Sequence, residues 1–333
     1  LVLSGSVSQS NVFGTGNRLS AQINSGSVNT VYSLSYTNPY YTIDGISLGY
    51  DVYRRDVDSS SLDNVSEYKT STIGAGMRFG LPINERDFIS FGLTYEQTSI
   101  SLVPDDLSDS VPATQYQTFV GPTGKRDDDT LRFDTSWARD TRNSFLFPTK
   151  GLFQRAAAEI GTPAGSLQYY KLSLQHQQFF PLSKSFTLML NAEAGIGGGL
   201  GDEDLPFFKN FYVGGTSSVR GFENGTLGPK DANGDAIGGN KRMVANAELF
   251  FPLPGLKDDQ SLRMSAFVDA GAAFGSDQQF AFDELRYSAG VAILWVSPLG
   301  PLKFSLAQPL VSKGSGLTED QTEVFQFTLG NTF

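Results

Sequence analysis

The sequence predicts an all-β protein, a transmembrane antiparallel β-barrel, and three observations predict it. Apolar residues alternate with small or polar ones at period two along the whole chain. Tight turns carrying Pro or Gly alternate with long polar connections, the asymmetry of an outer-membrane barrel with short turns on one rim and long loops on the other. No stretch can cross a bilayer as a helix: the longest apolar run extends from Val291 to Val296, whereas a spanning helix needs about 20 such residues. The 333 residues include 36 Gly, 26 Phe and 13 Tyr, with 39% hydrophobic, 12% aromatic and 18% charged residues, too aromatic for a disordered chain. All-β barrels run long as one unit, so residues 1–333 are expected to form a single barrel domain.

The strands follow in order. Ile46, Leu48, Tyr50 and Val52 alternate with Ser47, Gly49 and Asp51; Ile73, Ala75, Met77 and Phe79 alternate with Thr72, Gly74, Gly76 and Arg78; Ile89, Phe91, Leu93 and Tyr95 alternate with Ser90, Gly92, Thr94 and Glu96. Further on, Met243, Ala245, Ala247 and Leu249 oppose Val244, Asn246 and Glu248, and the odd positions from Leu285 to Trp295 oppose Arg286, Ser288 and Gly290. The segment 151–161 alternates poorly. Tight turns are expected at 13–17, 38–45, 81–87, 145–151, 180–185, 251–255 and 297–301, and long irregular connections near 57–69, 99–128, 197–242, 272–284 and 309–321. Phe145, Phe147, Phe179, Phe180, Phe250 and Phe251 flank tight turns, where an interfacial aromatic girdle belongs. The segments 1–12, 18–24, 30–37, 46–56, 70–80, 88–98, 129–138, 151–161, 168–180, 186–196, 243–252, 262–271, 285–296, 302–308 and 322–333 make about 15 strands. Bacterial single-chain barrels hold an even number, so about 16 are expected in the intact protein, with the first preceding Leu1. The chain opens at Leu1 without a charged or apolar leader pattern, which reads as a cut edge.

Composition narrows the chemistry. The formal charge of −10 repels a polyanion, so nucleic acid is not an expected partner. With Cys 0 there is no thiol nucleophile, thiolate metal site or disulfide. His176 is the sole histidine and stands among Gln175, Gln177 and Gln178 with no nucleophile motif beside it, which argues against a Ser/His/Asp enzyme. The run from Asp231 to Asp235 lacks Gly at the sixth position of a calcium loop, where Ala236 stands, and places Arg242 where a bidentate Glu is required. That run and Asp127, Asp128 and Asp129 are expected to be solvated loop charge. No catalytic residue, metal or cofactor is expected.

One segment stands out. Residues 197–242 form a connection of roughly 45 residues, far longer than ordinary loops, and its sequence Phe211-Tyr-Val-Gly-Gly-Thr-Ser-Ser-Val-Arg-Gly-Phe222 is apolar and Gly-rich rather than polar. If it folds into the lumen, Arg220 needs carboxylates to offset its desolvation. Glu248 shares phase with Asn246, and Asp269 with Arg263 and Ser265, so both acids are expected to face inward and to lock the loop through an Arg fork.

At these residues the chain resembles the BamA family of outer-membrane barrel assembly proteins, within a superfamily that also holds two-partner secretion transporters and chloroplast import channels. The tetrad Val219, Arg220, Gly221 and Phe222 is similar to that superfamily's loop motif, and Glu248 and Asp269 fall where its acidic partners lie. The narrower likeness rests on Asn210-Phe-Tyr-Val-Gly-Gly, Phe147-Pro-Thr-Lys-Gly151, the stretch from Ser288 to Pro301, Ala307-Gln-Pro309 and Phe325-Gln-Phe-Thr-Leu-Gly330, and covers essentially the whole chain. The resemblance implies assembly and insertion of β-barrel proteins into the bacterial outer membrane. The partners it implies are the bilayer with its lipopolysaccharide, unfolded barrel substrates, and accessory lipoproteins bound mainly through N-terminal POTRA domains, which this sequence lacks.

The last segment carries a second feature. Phe325, Phe327, Leu329 and Phe333 share one strand face, opposite Gln326 and Thr328, and the chain ends on an aromatic residue. Gly330 interrupts the strand, weakening its pairing, and the resemblance implies that a matching glycine lets the last strand bend away from the first. The implied mechanism is a weak lateral seam whose exposed edge templates an incoming strand, beside a short apolar girdle that thins the bilayer. The competing readings are a pore or a secretion transporter of two-partner type. A general porin has no need of the tetrad, whereas the transporter shares it.

Overall fold

The period-two pattern builds strands β1 (Leu3–Ser10), β2 (Arg18–Ser25), β3 (Asn29–Asn38), β4 (Ser47–Asp58), β5 (Lys69–Pro82), β6 (Asp87–Ser101), β7 (Lys125–Asp140), β8 (Gly151–Gly161), β9 (Tyr169–Pro181) and β10 (Thr187–Gly199). After the two-residue strand β11 (Gly221–Phe222) follow β12 (Lys241–Pro252), β13 (Leu262–Phe274), β14 (Arg286–Ser297), β15 (Gly300–Val311), the two-residue β16 (Thr322–Glu323) and β17 (Phe325–Leu329). This is a computed structural model, and it describes all residues except 1–2, 27, 63, 103–112, 202–203, 254–260, 298–299, 315, 317–318 and 330–333. Fifteen strands form one antiparallel sheet in chain order, with β1 and β17 at the ends of the order; β11 and β16 pair only with each other.

Two expectations need correction. The segment 322–333 is not one strand: Val324 separates β16 from β17, and only β17 joins the large sheet. The segment 151–161, counted as a strand despite its poor alternation, is one. The connection 99–128 is not wholly irregular, because α1 (Thr114–Val120) forms there and buries Tyr116 and Val120. No helix among the described residues is long and apolar enough to cross a membrane.

Contacts divide the chain into two compact units, the first comprising 1–138, 156–172 and 197–209, the second 139–155, 173–196 and 210–333. In the first unit the register aligns Tyr50, Met77 and Leu93 across β4, β5 and β6, and Val52, Ala75 and Tyr95 beside them. All of these side chains are exposed. An exposed apolar face continuous over adjacent strands is what lipid, rather than water, accommodates. The alternate row Tyr53, Gly74 and Glu96 is polar. The Tyr53 hydroxyl and the Arg132 guanidinium both donate to buried Glu96 across side-chain-free Gly74. Lys209 Nζ bonds Glu159 Oε1 at 2.7 Å, and the Tyr169 hydroxyl donates to the same oxygen at 2.5 Å. The expectation that the acids of residues 127–129 are solvated loop charge fails at Asp128. Asp128 is buried, pairs with Arg126 at 2.7 Å and accepts from Ser166 Oγ at 2.9 Å, because an unpaired buried carboxylate would be too costly.

Residues 200–209 of the long connection belong to the first unit. Phe207 stacks on Tyr116 with centroids 4.0 Å apart and meets Tyr68 and Phe119 edge-on at 5.1 and 5.6 Å. Arg126 lies over Phe119 at 4.3 Å. Aromatic geometry of this kind adds about 0.5–1.5 kcal/mol per pair beyond area burial.

In the second unit alternation splits the paired phenylalanines, so the girdle expectation holds for only part of the set. Phe250 shares a row with Ser265 and lines an internal cavity of about 550 Å³ together with Phe179, Arg263 and Lys303. Phe251 takes the opposite face and packs on Phe186, centroids 6.0 Å apart. Phe147 and Phe250 flank the Arg263 guanidinium, each centroid 5.3 Å away. Phe145 also borders the cavity, and both it and Phe180 are exposed.

Replacing Phe207 with Ala removes the centre of the aromatic cluster, at a local cost of about 3–5 kcal/mol. Trypsin cleavage at Lys125 or Arg126 should accelerate while the protein keeps its heat-modifiable mobility. An unchanged cleavage rate would mean that α1 is held by other contacts.

Candidate functional site

Strands β12 and β13 set the site by register. Glu248 lies opposite Phe267, and Asn246 lies opposite Asp269. The two acids therefore occupy neighbouring rungs of one face, with the Phe267 ring beside both. Arg220 fits this triangle. Its Nε donates to Asp269 Oδ2 at 2.7 Å, its Nη2 to Asp269 Oδ1 at 2.8 Å and its Nη1 to Glu248 Oε2 at 3.1 Å. Its backbone N–H also donates to Asp269 Oδ2, at 3.1 Å. The guanidinium carbon sits 3.4 Å from the Phe267 ring centroid, so the flat cation is stacked as well as forked.

All three charged side chains are buried. One cation against two anions would leave net charge in a poorly solvated place; Lys303 on β15 supplies the second cation, 3.9 Å from Glu248. Burial alone would lower the Arg220 pKa, but the Asp269 hydrogen bonds and the charges of Glu248 and Asp269 outweigh it and raise the pKa above the usual arginine value. The guanidinium is therefore permanently charged.

Further polar groups complete the arrangement. Ser265 Oγ donates to Glu248 Oε1 at 2.5 Å. Asn246 Nδ2 donates to Asp269 Oδ1 at 2.9 Å and to the Ser218 carbonyl at 2.7 Å, and its own Oδ1 accepts from Asn191 at 2.9 Å. These contacts fix the acids around the arginine. From sequence, Asn246 and Ser265 served only to set strand phase, and Phe267 and Lys303 were missed. Phase could have found Phe267, which shares parity with Asp269; the reach of Lys303 depends on how three strands curve.

The other three residues of the tetrad have separate tasks. Val219 and Phe222 are fully buried and cluster with Val213 and Leu227 of the loop on Val244 and Ala273 of the wall. Burying such side chains contributes about 1.5–3 kcal/mol each, which explains why the loop is apolar. Gly221 has φ +89, and a Cβ there would lie 3.0 Å from the Ala307 side chain, so both backbone conformation and close approach demand glycine. Backbone bonds brace the loop: Phe211 and Gly239 exchange both partners, Gly215 N donates to the Val219 carbonyl, and Leu227 N donates to the Val213 carbonyl.

The acidic turn at 231–235 is stabilised internally. Asp231 Oδ1 accepts from the backbone N–H of Asn233 and of Asp235 at 2.9 and 3.0 Å, an Asx turn. His176 Nδ1 lies 3.0 Å from Gln154 Nε2. On β17, Phe325, Phe327 and Leu329 are exposed on one face, Gln326 is buried and Thr328 is half-buried; Gly330 and Phe333 lie outside the described residues.

Removing one partner from a buried ion pair costs about 3–5 kcal/mol, because the other charge is stranded. Arg220→Ala should therefore leave a heat-modifiable barrel but speed trypsin cleavage at Lys230. Asp269→Ala should have a larger effect than Glu248→Ala, since Asp269 accepts three of the four bonds. Equal cleavage rates in wild type and all three variants would show that the fork does not hold the loop.

The Omp85 superfamily domain matches residues 11–333. Outer membrane protein assembly factor BamA of Neisseria meningitidis serogroup B is 42% identical over 370 residues, covering 100% of this chain and 45% of its own length. The factor of the same name from Nitratidesulfovibrio vulgaris is 28% identical over 335 residues, covering 99% and 40%. The crystal structure of BamA from Haemophilus ducreyi lacking POTRA domains 1–3 matches with a TM-score of 0.89 at 27% identity, covering 98% of this chain and 66% of that one. This chain thus spans less than half the length of the curated relatives it matches. With the domain match reaching nearly from end to end, the chain belongs to the Omp85 superfamily, and its fold is the transmembrane antiparallel β-barrel of a bacterial outer-membrane protein.

Proposed function

We propose that this chain is the membrane-embedded part of a non-enzymatic factor that assembles β-barrel proteins and inserts them into the outer membrane. The observation that carries this reading is the 42% identity to an outer membrane protein assembly factor along the entire chain. In this reading residues 197–242 form a luminal loop held by Val219, Arg220, Gly221 and Phe222 on Glu248 and Asp269. The last strand, with Phe325, Gln326, Phe327, Thr328 and Leu329, forms one side of a lateral seam; Gly330 and Phe333, assigned to the same seam from sequence, lie outside the described residues.

In this reading the seam lies between the first and last strands, at the ends of the sheet. Among the described residues β17 ends the strand order and pairs with β15, Leu302 with Leu329 to Leu306 with Phe325. A strand at the end of a sheet presents unpaired backbone groups on its free edge, and these template an incoming strand by β-augmentation. The exposed Phe325, Phe327 and Leu329 face lipid during this exchange. The partners in this reading are unfolded barrel substrates, the bilayer with its lipopolysaccharide, and accessory lipoproteins that bind mainly outside this chain.

The test uses the full-length natural protein in lipid vesicles and follows folding of an added unfolded barrel protein. One cysteine is introduced at Phe327 and one in the strand facing it across the seam; the described chain has no other cysteine to compete. The reduced protein should speed folding, the oxidised tether should stop it, and reductant should restore it. Ion conductance without faster folding would favour the pore or secretion-transporter reading.

A further inference from the structure

The geometry points to a positioning role for Gln326: its side chain ties the Arg220 loop to the last strand, so that release of either loosens the other. Its bearing on assembly rests on the seam reading above; the coupling itself does not.

A primary carboxamide carries one acceptor and one two-proton donor, the same pair of functions that a peptide unit offers. Gln326 uses both on the tetrad. Its Oε1 accepts from the Gly221 N–H at 3.3 Å, and its Nε2 donates to the Phe222 carbonyl at 2.8 Å and to Glu323 at 3.2 Å. The side chain is 2% exposed, and Phe222 and Arg220 are buried beside it. A two-rung ladder adds to the tie, with Gly221 opposite Glu323 and Phe222 opposite Thr322, next to Glu223 N donating to the Gln321 carbonyl at 3.1 Å. The segment leading into the last strand is itself pinned. Arg286 forks onto Asp320 at 2.9 and 3.1 Å, and Asp320 also accepts from the Lys313 N–H at 2.6 Å.

These contacts make movement of β17 inseparable from the tetrad. If the strand leaves β15 while the loop stays, Gly221 N–H and the Phe222 carbonyl lose their partners in a site closed to water, a penalty of about 1–3 kcal/mol for each such group. If instead the loop is freed from Asp269 and Glu248, the last strand loses the groups that hold the buried Gln326 amide. The two elements therefore bias one another, and linkage requires the effect to be reciprocal. An incoming strand that displaces β17 would unlock the loop, and a locked loop would hold the seam shut.

The test is a double-mutant cycle on the full-length natural protein, read by hydrogen exchange at 219–223 and 322–329 in detergent or lipid without any substrate. Arg220→Ala should speed exchange at 322–329 by about fivefold or more, in the range of ordinary coupling energies. Gln326→Met, which keeps length and volume without polar groups, should speed exchange in both segments, and in that background Arg220→Ala should change 322–329 far less. A purely structural role for Gln326 predicts additive effects instead. Equal Arg220→Ala effects in both backgrounds, or none at 322–329 in wild type, would overturn the coupling. If the Met variant does not give a heat-modifiable barrel, Gln326→Glu serves in the same cycle, because it keeps the acceptor for Gly221 but loses the donor to Phe222 and meets Glu323. Since no substrate is present, coupling without faster substrate folding would sink the assembly reading and leave the coupling standing; additive effects with faster folding would do the reverse.

Discussion

A guanidinium buried in a β-barrel protein must be neutralised, hydrogen-bonded and stacked at once, and the surroundings of Arg220 are organised by that demand. Asp269 and Glu248 supply charge and acceptors, Lys303 restores balance, and Phe267 supplies a face. Each is a wall residue placed by strand register, so the arginine reports on β12, β13 and β15 together. A shift of one residue in β12 or β13 would turn an acid to the opposite face, and one in β15 would turn Lys303 away, each leaving a charge unpaired at high cost. The lock therefore selects the register that holds it.

The same demand explains why so long a connection can be ordered. Closing a long loop costs entropy only slowly with length, but fixing its residues is expensive, and many contacts must offset it. In the second unit the loop does this with Val213, Val219, Phe222 and Leu227 on the wall, while Gly221 lets the backbone come close enough for Arg220 to reach. In the first unit the start of the connection is held by different means, the Phe207 stack and the Lys209 pair with Glu159. An apolar loop with two separate anchors behaves as a packed element rather than as a tether.

The last strand stands at the end of this frame. Among the described residues β17 pairs with β15 in the large sheet, presents Phe325, Phe327 and Leu329 on an exposed face and buries the Gln326 amide against the tetrad. Gln326 is thus a point of contact between the docked loop and the end of the sheet.

Periodicity alone carried much of this. Alternation at period two placed the strands and divided inward from outward residues, and the same parity put Glu248 and Asp269 on the face of Arg220, because side chains on a strand can only alternate. What alternation could not supply was anything set by contact between distant segments. The helix at Thr114–Val120 forms where its aromatic residues meet Phe207, far along the chain. The burial of Asp128 depends on Ser166 and Arg126. Phe179 and Phe250, read as girdle residues, line a cavity because parity outranks their position beside a turn. The break at Val324 and the pairing of Thr322–Glu323 with the tetrad follow from the docked loop, and so does the use of the Gln326 amide. Sequence by itself determined the strand pattern, the parity of the acids and the family, since these depend on local order and motif; only the tertiary structure decided which long-range partners satisfy each buried charge and amide, since that depends on how strands far apart in the chain are brought together.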